Sequence, residues 1–323
     1  MKKILLLTLG LVLSSSLYAK VKVYPLQSPV LEEKFQTIIV NRALEKLGYE
    51  VEPIQEVAYE VAFQTIGQNA KSKDVYFMAD NWDPTQVNMY NSAGGDKKLY
   101  RKGVYVPNCA VGYLVDKETA DKYNIKYISD LKDPKLAKLF DIDGDGKADL
   151  TGASPGWEVV EQINHHIKAY GLKNTIDHKQ GEYSAMIANT IARYKSGKPI
   201  LYWSWTPYWV SGKLVPGKDV VWLQVPFSDN KSGKDTKLAN GANFGFEIQT
   251  QRIVANKSVE KNYPDIAKLF SIMKLNPNDL SAQSTLLSKG ENKDKDINRH
   301  VDMWLKANKA LFNSWVNEAK KLQ

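Results

Sequence analysis

Short apolar segments alternate with segments of helical pattern along most of this 323-residue chain. The first three apolar segments span residues 21–24, 51–54 and 74–78, and each has the length of a strand. Residues 31–47 and 58–68, which lie between them, have the pattern of helices. This strand–helix–strand rhythm is typical of a mostly parallel sheet covered by helices, so we predict an α/β fold.

The same alternation continues in a second group of elements. Strands are predicted at residues 111–115, 199–203 and 220–224, and helices at 117–123, 134–140, 157–170 and 183–196. The chain then returns to a strand at residues 252–255 and ends in helices at 265–273, 277–287 and 293–322.

A chain of this length usually forms more than one hydrophobic core. We predict two α/β lobes, with residues 20–108 plus 246–323 as lobe I and residues 109–245 as lobe II, inserted into lobe I. Ligands of open α/β sheets bind beyond the carboxyl ends of the strands, which places the expected ligand site in the cleft between the lobes. The two chain crossings, near residues 108 and 245, are the expected hinge.

The amino terminus has the order of an export signal. Lys2 and Lys3 precede a short apolar run at residues 4–13, and residues 14–19 resemble a cleavage region. The apolar run is too short to span a bilayer, so we predict a signal peptide at residues 1–19. We therefore expect the mature chain in the periplasm of a Gram-negative cell.

Three of the eight tryptophans lie at junctions between predicted elements. Trp82 and Trp205 follow predicted strands, and Trp157 opens a predicted helix. Indole faces attract a cation that has no hydrogen-bond donors, such as a trimethylammonium group, with about 0.5–2 kcal/mol for each desolvated contact. The residues alone leave two other interpretations open, which are packing in the core and a platform for stacking sugars.

Two segments near these tryptophans are candidates for holding a carboxylate. The first amides of a helix have no partner within the helix, so the backbone N–H groups of Glu158 and Val159 are able to bind an anion. The alternative is an ordinary helix start. Asp83-Pro84-Thr85-Gln86 has the form of a helix capping box, and the alternative there is that Gln86 donates its amide hydrogens to a ligand.

Residues 141–149 resemble the first nine positions of a calcium-binding loop. The loop residues that carry the candidate ligands are Asp141, Asp143, Asp145, Lys147 and Asp149. Gly152 stands where the twelfth position needs a glutamate. A structural Ca²⁺ site and a metal-free acidic turn are both compatible with this pattern, and we expect no other cofactor.

Composition excludes several classes of function. The formal charge is +8, but the lysines are scattered among acids, so we expect no binding to nucleic acid. The one cysteine, Cys109, has no partner for an internal disulfide and is expected to be buried. The four histidines form no catalytic or metal-binding pattern, and adjacent His165 and His166 would point to different sides of a helix. We expect a monomer that is not an enzyme.

Several segments of the chain resemble those of periplasmic glycine betaine/L-proline-binding proteins from osmoprotectant ABC transporters. The resemblance covers nearly the whole mature chain and includes residues 35–37 (FQT), 42–49 (RALEKLGY), 93–98 (AGGDKK), 143–152 (DGDGKADLTG) and 205–210 (WTPYWV). It implies a two-lobed, type II periplasmic-binding fold. The implied function is capture of a betaine-type osmolyte and its delivery to a membrane permease. The alternatives are another small zwitterion or cation, such as choline or carnitine, as the ligand, and an extracytoplasmic enzyme on the same fold, for which the sequence offers no pair of nucleophile and base.

The resemblance also assigns roles to residues. A box of three tryptophans maps onto Trp82, Trp157 and Trp205, and a carboxylate clamp maps onto the amides of Glu158 and Val159. The clamp departs from the family pattern, because Gln86 stands in place of a histidine and Glu158 in place of a glycine. Ala153 and Val159 stand in place of two cysteines. We therefore expect the cation end of the site to be retained and the carboxylate end to be altered.

Overall fold

The computed structural model describes residues 21–230 and 232–323, so the predicted signal peptide lies outside the described residues. The strands are β1 (Lys22–Gln27), β2 (Glu50–Val51), β3 (Gln55–Glu56), β4 (Val75–Asp83), β5 (Leu99–Tyr100), β6 (Val106–Asp116), β7 (Ala148–Thr151), β8 (Ile176–Lys179), β9 (Leu201–Thr206), β10 (Val220–Leu223) and β11 (Gln249–Asn256).

Helices separate most of these strands. The α-helices are α1 (Glu33–Leu47), α2 (Tyr59–Gln68), α3 (Val87–Ser92), α4 (Gly95–Lys98), α5 (Lys117–Tyr123), α6 (Pro134–Ala137), α7 (Val159–Ala169), α8 (Tyr183–Lys195), α9 (Val259–Asn262), α10 (Pro264–Ile272), α11 (Pro277–Ser288), α12 (Asp294–Ala307) and α13 (Lys309–Lys320). Short 3₁₀ helices span Ile128–Lys132, Lys138–Phe140 and Trp209–Gly212. The α/β fold class is therefore confirmed.

The strands pair in the order β2-β1-β4-β11-β6-β9-β7-β8. Strand β1 is parallel to β2, β3 and β4, and β7 is parallel to β8 and β9. The pairs that include β6 or β11 are antiparallel instead, so the sheet is mixed at its centre. The long strand β6 pairs with β11 at its beginning, where Gln249 faces Cys109, and with β9 from Ala110 to Val115. It thus joins the two groups of parallel strands.

Buried hydrophobic side chains of the described residues form three clusters. The first, which we call the insert core, contains residues between Val111 and Phe246. Along β4, Phe77 and Ala79 belong to the second cluster, and Met78 between them belongs to the third. Because side chains alternate along a strand, these two clusters lie on opposite faces of the sheet. Helices α1 and α10 to α13 supply the second cluster, and α2 and α3 supply the third.

The predicted chain crossings carry unusual backbone angles. Asn108 lies within β6 with a φ of 56°, and Gly245 precedes β11 with a φ of 82°. A side chain at position 245 would also collide with Val225 and approach His166, because a Cβ atom there would lie 2.7 Å and 3.0 Å from them. Left-handed backbone and close packing together favour glycine at this position.

Several element bounds differ from the sequence-based predictions. Strand β4 continues to Asp83 and β9 to Thr206, so Trp82 and Trp205 lie inside strands rather than after them. The long predicted helix at residues 293–322 is two helices, α12 and α13, separated at Asn308. The short strands β5, β7 and β8 were not predicted, because two to four residues are too few to show a periodic pattern.

Candidate ligand-binding site

The three candidate tryptophans line a single pocket. Trp82 comes from β4, Trp205 from β9, and Trp157 from the turn that precedes α7. Glu33 and Tyr59 complete part of the wall. We call this cavity the aromatic pocket.

The aromatic pocket lies where the three hydrophobic clusters meet. Trp82 packs against all three clusters, and Trp157 packs against the insert core and the third cluster. Trp205 is itself a buried member of the insert core, with 6% of its surface exposed. The pocket is therefore built by side chains from regions that are distant in sequence and that fold around different cores.

The rings of the three tryptophans stand at steep angles to one another. The centroid of Trp205 lies 6.3 Å from that of Trp82, with 76° between the ring planes. It lies 5.6 Å from the centroid of Trp157, with 69° between the planes. Rings in this arrangement form separate walls of a cavity rather than a stack, so a group inside the pocket meets more than one indole face.

More aromatic side chains hold these walls from behind. Tyr208 lies 4.1 Å and Tyr183 4.9 Å from Trp205, between ring centroids, and Trp203 lies 5.3 Å away. Tyr183 also lies 5.6 Å from Trp157 and donates a hydrogen bond from its hydroxyl to the backbone oxygen of Trp203. Sequence reasoning missed these supporting residues. Trp203 and Trp205 carry one usable signal, since residues two apart in a strand share a face.

Gln86 lines the aromatic pocket, but the predicted capping box is wrong. Helix α3 begins at Val87, and Asp83 is the last residue of β4. The Gln86 Oε1 atom accepts hydrogen bonds from the backbone N–H of Trp82, at 2.9 Å, and from Asn81 Nδ2, at 3.2 Å. Because a backbone N–H only donates, the atom facing it must be the oxygen, and the Nε2 hydrogens are directed elsewhere.

Asp83 forms ion pairs and is not among the residues that line the aromatic pocket. Its carboxylate lies 3.2 Å from Arg101 Nη1 and 2.7 Å from Arg252 Nε. These two arginines neutralise the charge of Asp83. Thr85, by contrast, lines the pocket.

The start of α7 faces the aromatic pocket through Glu158 and Val159. The next two amides have acceptors in the backbone, since Val160 N donates to Trp157 O at 3.0 Å and Glu161 N donates to Glu158 O at 3.3 Å. Among the described residues, the amide of Val159 has no acceptor. An unsatisfied N–H at the positive end of an 11-residue helix is suited to a carboxylate.

A hydrogen bond joins α3 to Glu158, which lines the aromatic pocket. Asn88 on α3 donates from Nδ2 to the Glu158 carboxylate at the start of α7. The side chain of Glu158 therefore contacts an element that packs in a different cluster.

In the acidic loop, which we define as residues 141–149, Asp141, Asp143 and Asp149 each place a carboxylate oxygen within 4.8 Å of the others. Asp145 lies outside this group and accepts a hydrogen bond from the backbone N–H of Lys147 at 2.8 Å. Of the predicted ligands, the structure thus gathers three carboxylates.

An ammonium group lies against these carboxylates. Lys179 Nζ is 2.8 Å from Asp143, 2.9 Å from Asp149 and 2.7 Å from Asp177. The hydrogen bond from Lys179 lowers the pKa of Asp143, and the three acids together raise the pKa of Lys179. A positive charge from β8 thus occupies the position next to two of the predicted calcium ligands.

The remaining titratable candidates are structural. Cys109 is fully buried, and burial raises the pKa of its thiol to about 12, so the reactive thiolate is not formed near neutral pH. His166 is buried and its Nδ1 lies 2.9 Å from the Tyr113 hydroxyl, while its neighbour His165 pairs with Asp229. Among the described helices, none is long and apolar enough to cross a membrane.

Residues 27–307 match the model of a family described as the substrate-binding domain of ABC-type glycine betaine transport systems. A glycine betaine/proline betaine-binding periplasmic protein of Escherichia coli is 55% identical over 305 residues, which cover 94% of this chain and 91% of that protein. A glycine betaine-binding periplasmic protein of Dickeya dadantii is 52% identical over 332 residues, with 99% of each chain covered.

Solved structures support the fold at lower sequence identity. Lactococcal OpuAC, in a closed conformation with glycine betaine, has a TM-score of 0.68 and 19% identity, over 91% of this chain and 99% of that one. A choline-binding protein of an ABC transporter, in complex with choline, has a TM-score of 0.69 and 17% identity, over 92% of both chains. These likenesses confirm the type II periplasmic-binding fold.

Proposed function

The chain belongs to the family of substrate-binding domains of ABC-type glycine betaine transport systems, and on this premise we propose that it binds a betaine-type osmolyte in the aromatic pocket. The ligand is glycine betaine or proline betaine, which the protein delivers to the membrane permease of an ABC importer. The family and the curated relatives are substrate-binding proteins, and no catalytic role is proposed for any residue.

The observation that carries this proposal is the meeting of three indole rings from β4, β9 and the start of α7 around one cavity. A trimethylammonium group has no N–H to donate, so hydrogen-bond acceptors hold it poorly. Aromatic faces attract it through their quadrupoles, with about 0.5–2 kcal/mol for each desolvated contact. Contacts with three rings together would account for a large part of the affinity.

The carboxylate of the ligand is assigned to the polar groups that line the aromatic pocket beside the three rings. The Val159 amide and the adjacent Glu158 amide lie at the start of α7, where the helix dipole favours a negative charge. Gln86 adds its Nε2 hydrogens, because its oxygen is held by the backbone of Trp82. A neutral amide and a helix start thus form the clamp.

Capture is proposed to involve closure of two lobes, residues 20–108 plus 246–323 and residues 109–245. Asn108 and Gly245, both with left-handed φ, are the proposed hinge positions. The hydrogen bond between Asn88 and Glu158 joins the lobes beside the ligand and favours the closed form.

The remaining assignments follow the relatives. The E. coli and D. dadantii proteins are periplasmic, and a signal peptide at residues 1–19 would export this chain to the same compartment. We propose that it acts there as a monomer, without nucleic acid and without a cofactor. The acidic loop is assigned a structural role in which Lys179 supplies the positive charge.

Isothermal titration with glycine betaine, proline betaine, choline and carnitine tests the proposal. We expect the two betaines to bind more tightly than choline, which has no carboxylate for the clamp. Quenching or a shift of tryptophan fluorescence should accompany binding, and should persist in Trp304→Phe, since Trp304 packs in the second cluster away from the pocket. The absence of heat and of any fluorescence change with all four ligands would refute the proposed function.

A further inference from the structure

A buried carboxylate lines the aromatic pocket at the edge of the Trp82 ring. Glu33 is the first residue of α1, has 2% of its surface exposed, and lines the pocket beside Tyr59 and Trp82. Its Oε1 atom accepts hydrogen bonds from Trp82 Nε1, at 2.8 Å, and from the Tyr59 hydroxyl, at 2.6 Å. Its Oε2 atom accepts a further hydrogen bond from the Ser28 hydroxyl.

All three of these donors are electrically neutral. Among the ion pairs of the described residues, none involves Glu33, although a buried carboxylate is costly unless it is paired or fully hydrogen-bonded. The hydrogen bonds satisfy the carboxylate without cancelling its charge. The positive end of the α1 dipole, at whose first position Glu33 lies, favours the same charge.

A second buried acid adjoins Glu33. Burial raises the pKa of Asp80 well above its ordinary value, and the negative charge of Glu33 and a hydrogen bond with that carboxylate raise it further. The neutral form of Asp80 is favoured in this surrounding, and the Glu33 carboxylate lies beside the indole of Trp82.

We propose that Glu33 is a specificity-determining residue of the aromatic pocket, whose fixed negative charge favours a quaternary ammonium over a neutral group of the same shape. This inference rests on the proposed function. The hydrogen bond to Trp82 Nε1 ties the charge to the ring that contacts the ligand. Apolar packing does not discriminate between the two, since a neutral group of equal size fills the same space, and the charge of Glu33 adds to the preference of the ring faces for a cation.

A matched pair of ligands separates charge from shape. 3,3-Dimethylbutanoate has the carboxylate and outline of glycine betaine, with carbon in place of the positive nitrogen. The quantity to measure is the ratio of the two dissociation constants, by isothermal titration at constant ionic strength. We expect the wild-type protein to prefer glycine betaine strongly.

Glu33→Gln keeps the size of the side chain and an oxygen for Trp82 Nε1 but removes the charge. We expect it to weaken the binding of glycine betaine by roughly tenfold, because the lost attraction acts only on the cation. The binding of 3,3-dimethylbutanoate should be unchanged or tighter. Glu45→Gln, the same change on the exposed side of α1, is the control and should leave both constants unchanged.

The outcomes separate this inference from the proposed function. If the wild-type protein binds none of the four titrated ligands, the proposed function fails. If it binds glycine betaine, and Glu33→Gln changes the dissociation constants of glycine betaine and 3,3-dimethylbutanoate by the same factor or changes neither, the role of Glu33 in specificity is refuted.

Should Glu33→Gln fail to fold, Glu33→Asp provides the second test. It keeps the charge but withdraws it from the indole by one methylene group, so the preference for glycine betaine should fall by a smaller factor. A preference equal to that of the wild-type protein would contradict the inference.

Discussion

The aromatic pocket and the acidic loop both attract positive charge, but they are built in opposite ways. The pocket uses uncharged rings from three distant segments, and their faces border a cavity. The loop uses carboxylates from nine consecutive residues, and the ammonium group of Lys179 lies within 2.9 Å of Asp143 and Asp149. One region is open to a ligand, and the other contains its own cation.

Physical chemistry accounts for this difference. Clustered carboxylates repel one another, and the folded chain relieves this repulsion either by a raised pKa, as for Asp80, or by a counter-charge, as in the acidic loop. Indole rings carry no net charge and remain stable in an unliganded cavity. A pocket lined by rings therefore needs no resident cation, while the acidic loop has the ammonium group of Lys179 beside its carboxylates.

The largest effect is expected from Trp205→Ala. Its ring is buried and packs 4.1 Å from Tyr208, so its removal should lower the free energy of unfolding by about 3 kcal/mol or more and abolish detectable binding of glycine betaine. Denaturation in guanidinium chloride measures the first effect, and titration the second. Trp222→Ala, at a half-buried position outside the aromatic pocket, is the control and should affect stability less and binding not at all.

Lys179→Met tests the acidic loop. Without the ammonium group, buried Asp149 and its neighbours lose their counter-charge, so the free energy of unfolding should fall by about 2 kcal/mol when divalent cations are chelated. Calcium should then restore part of the stability by binding the native state. Thermal unfolding with a chelator and with about 10 mM calcium measures both effects. This calcium concentration exceeds the dissociation constants of weak calcium-binding loops.

Lys147→Met removes a charge from the same loop without breaking these contacts, and should show no calcium response. A calcium response of equal size in the wild-type protein would contradict the role of Lys179 as the counter-charge of the loop, since it would mean that the loop binds its cation from solution.

Trp157→Ala should change affinity more than stability. Its ring is half-buried and lines the pocket. Loss of one cation–π contact is expected to make the free energy of binding of glycine betaine less favourable by about 1–2 kcal/mol. Isothermal titration gives the affinity, and thermal unfolding without ligand shows whether the fold is retained. Unchanged affinity would place Trp157 outside the ligand site.

The smallest effect is expected from Asp143→Asn, at acidic pH. The pKa of Asp143 is lowered in the folded protein, first by its hydrogen bond with Lys179, so its contribution to stability is present above the ordinary pKa of 3.8 and disappears as the pH falls through the lowered value. The unfolding temperatures of variant and wild-type protein should thus converge as the pH falls from about 5 to below the lowered pKa of Asp143. A difference that grows on acidification would contradict this assignment.

Most of the fold was accessible to sequence reasoning, because periodic apolar patterns are local. The segments at residues 31–47 and 58–68 became α1 and α2 within two residues of the predicted bounds. Strand ends were less well predicted: Trp82 and Trp205 belong to β4 and β9, which extend into polar sequence to reach the pocket. The same extension explains why the predicted capping box at residues 83–86 is a strand end and a turn.

By itself, the sequence determined the alternation of strands and helices, the burial of Cys109 and the presence of three indoles at the ends of elements. Tertiary structure alone decided that the three rings face one cavity and that Gln86 directs its oxygen toward the backbone of Trp82. It also decided that Glu33 accepts a hydrogen bond from the Trp82 indole. It also brought Lys179 to the acidic loop from 30 residues beyond Asp149. Contacts of this kind join residues that share no local pattern, and they form only when separate elements pack together.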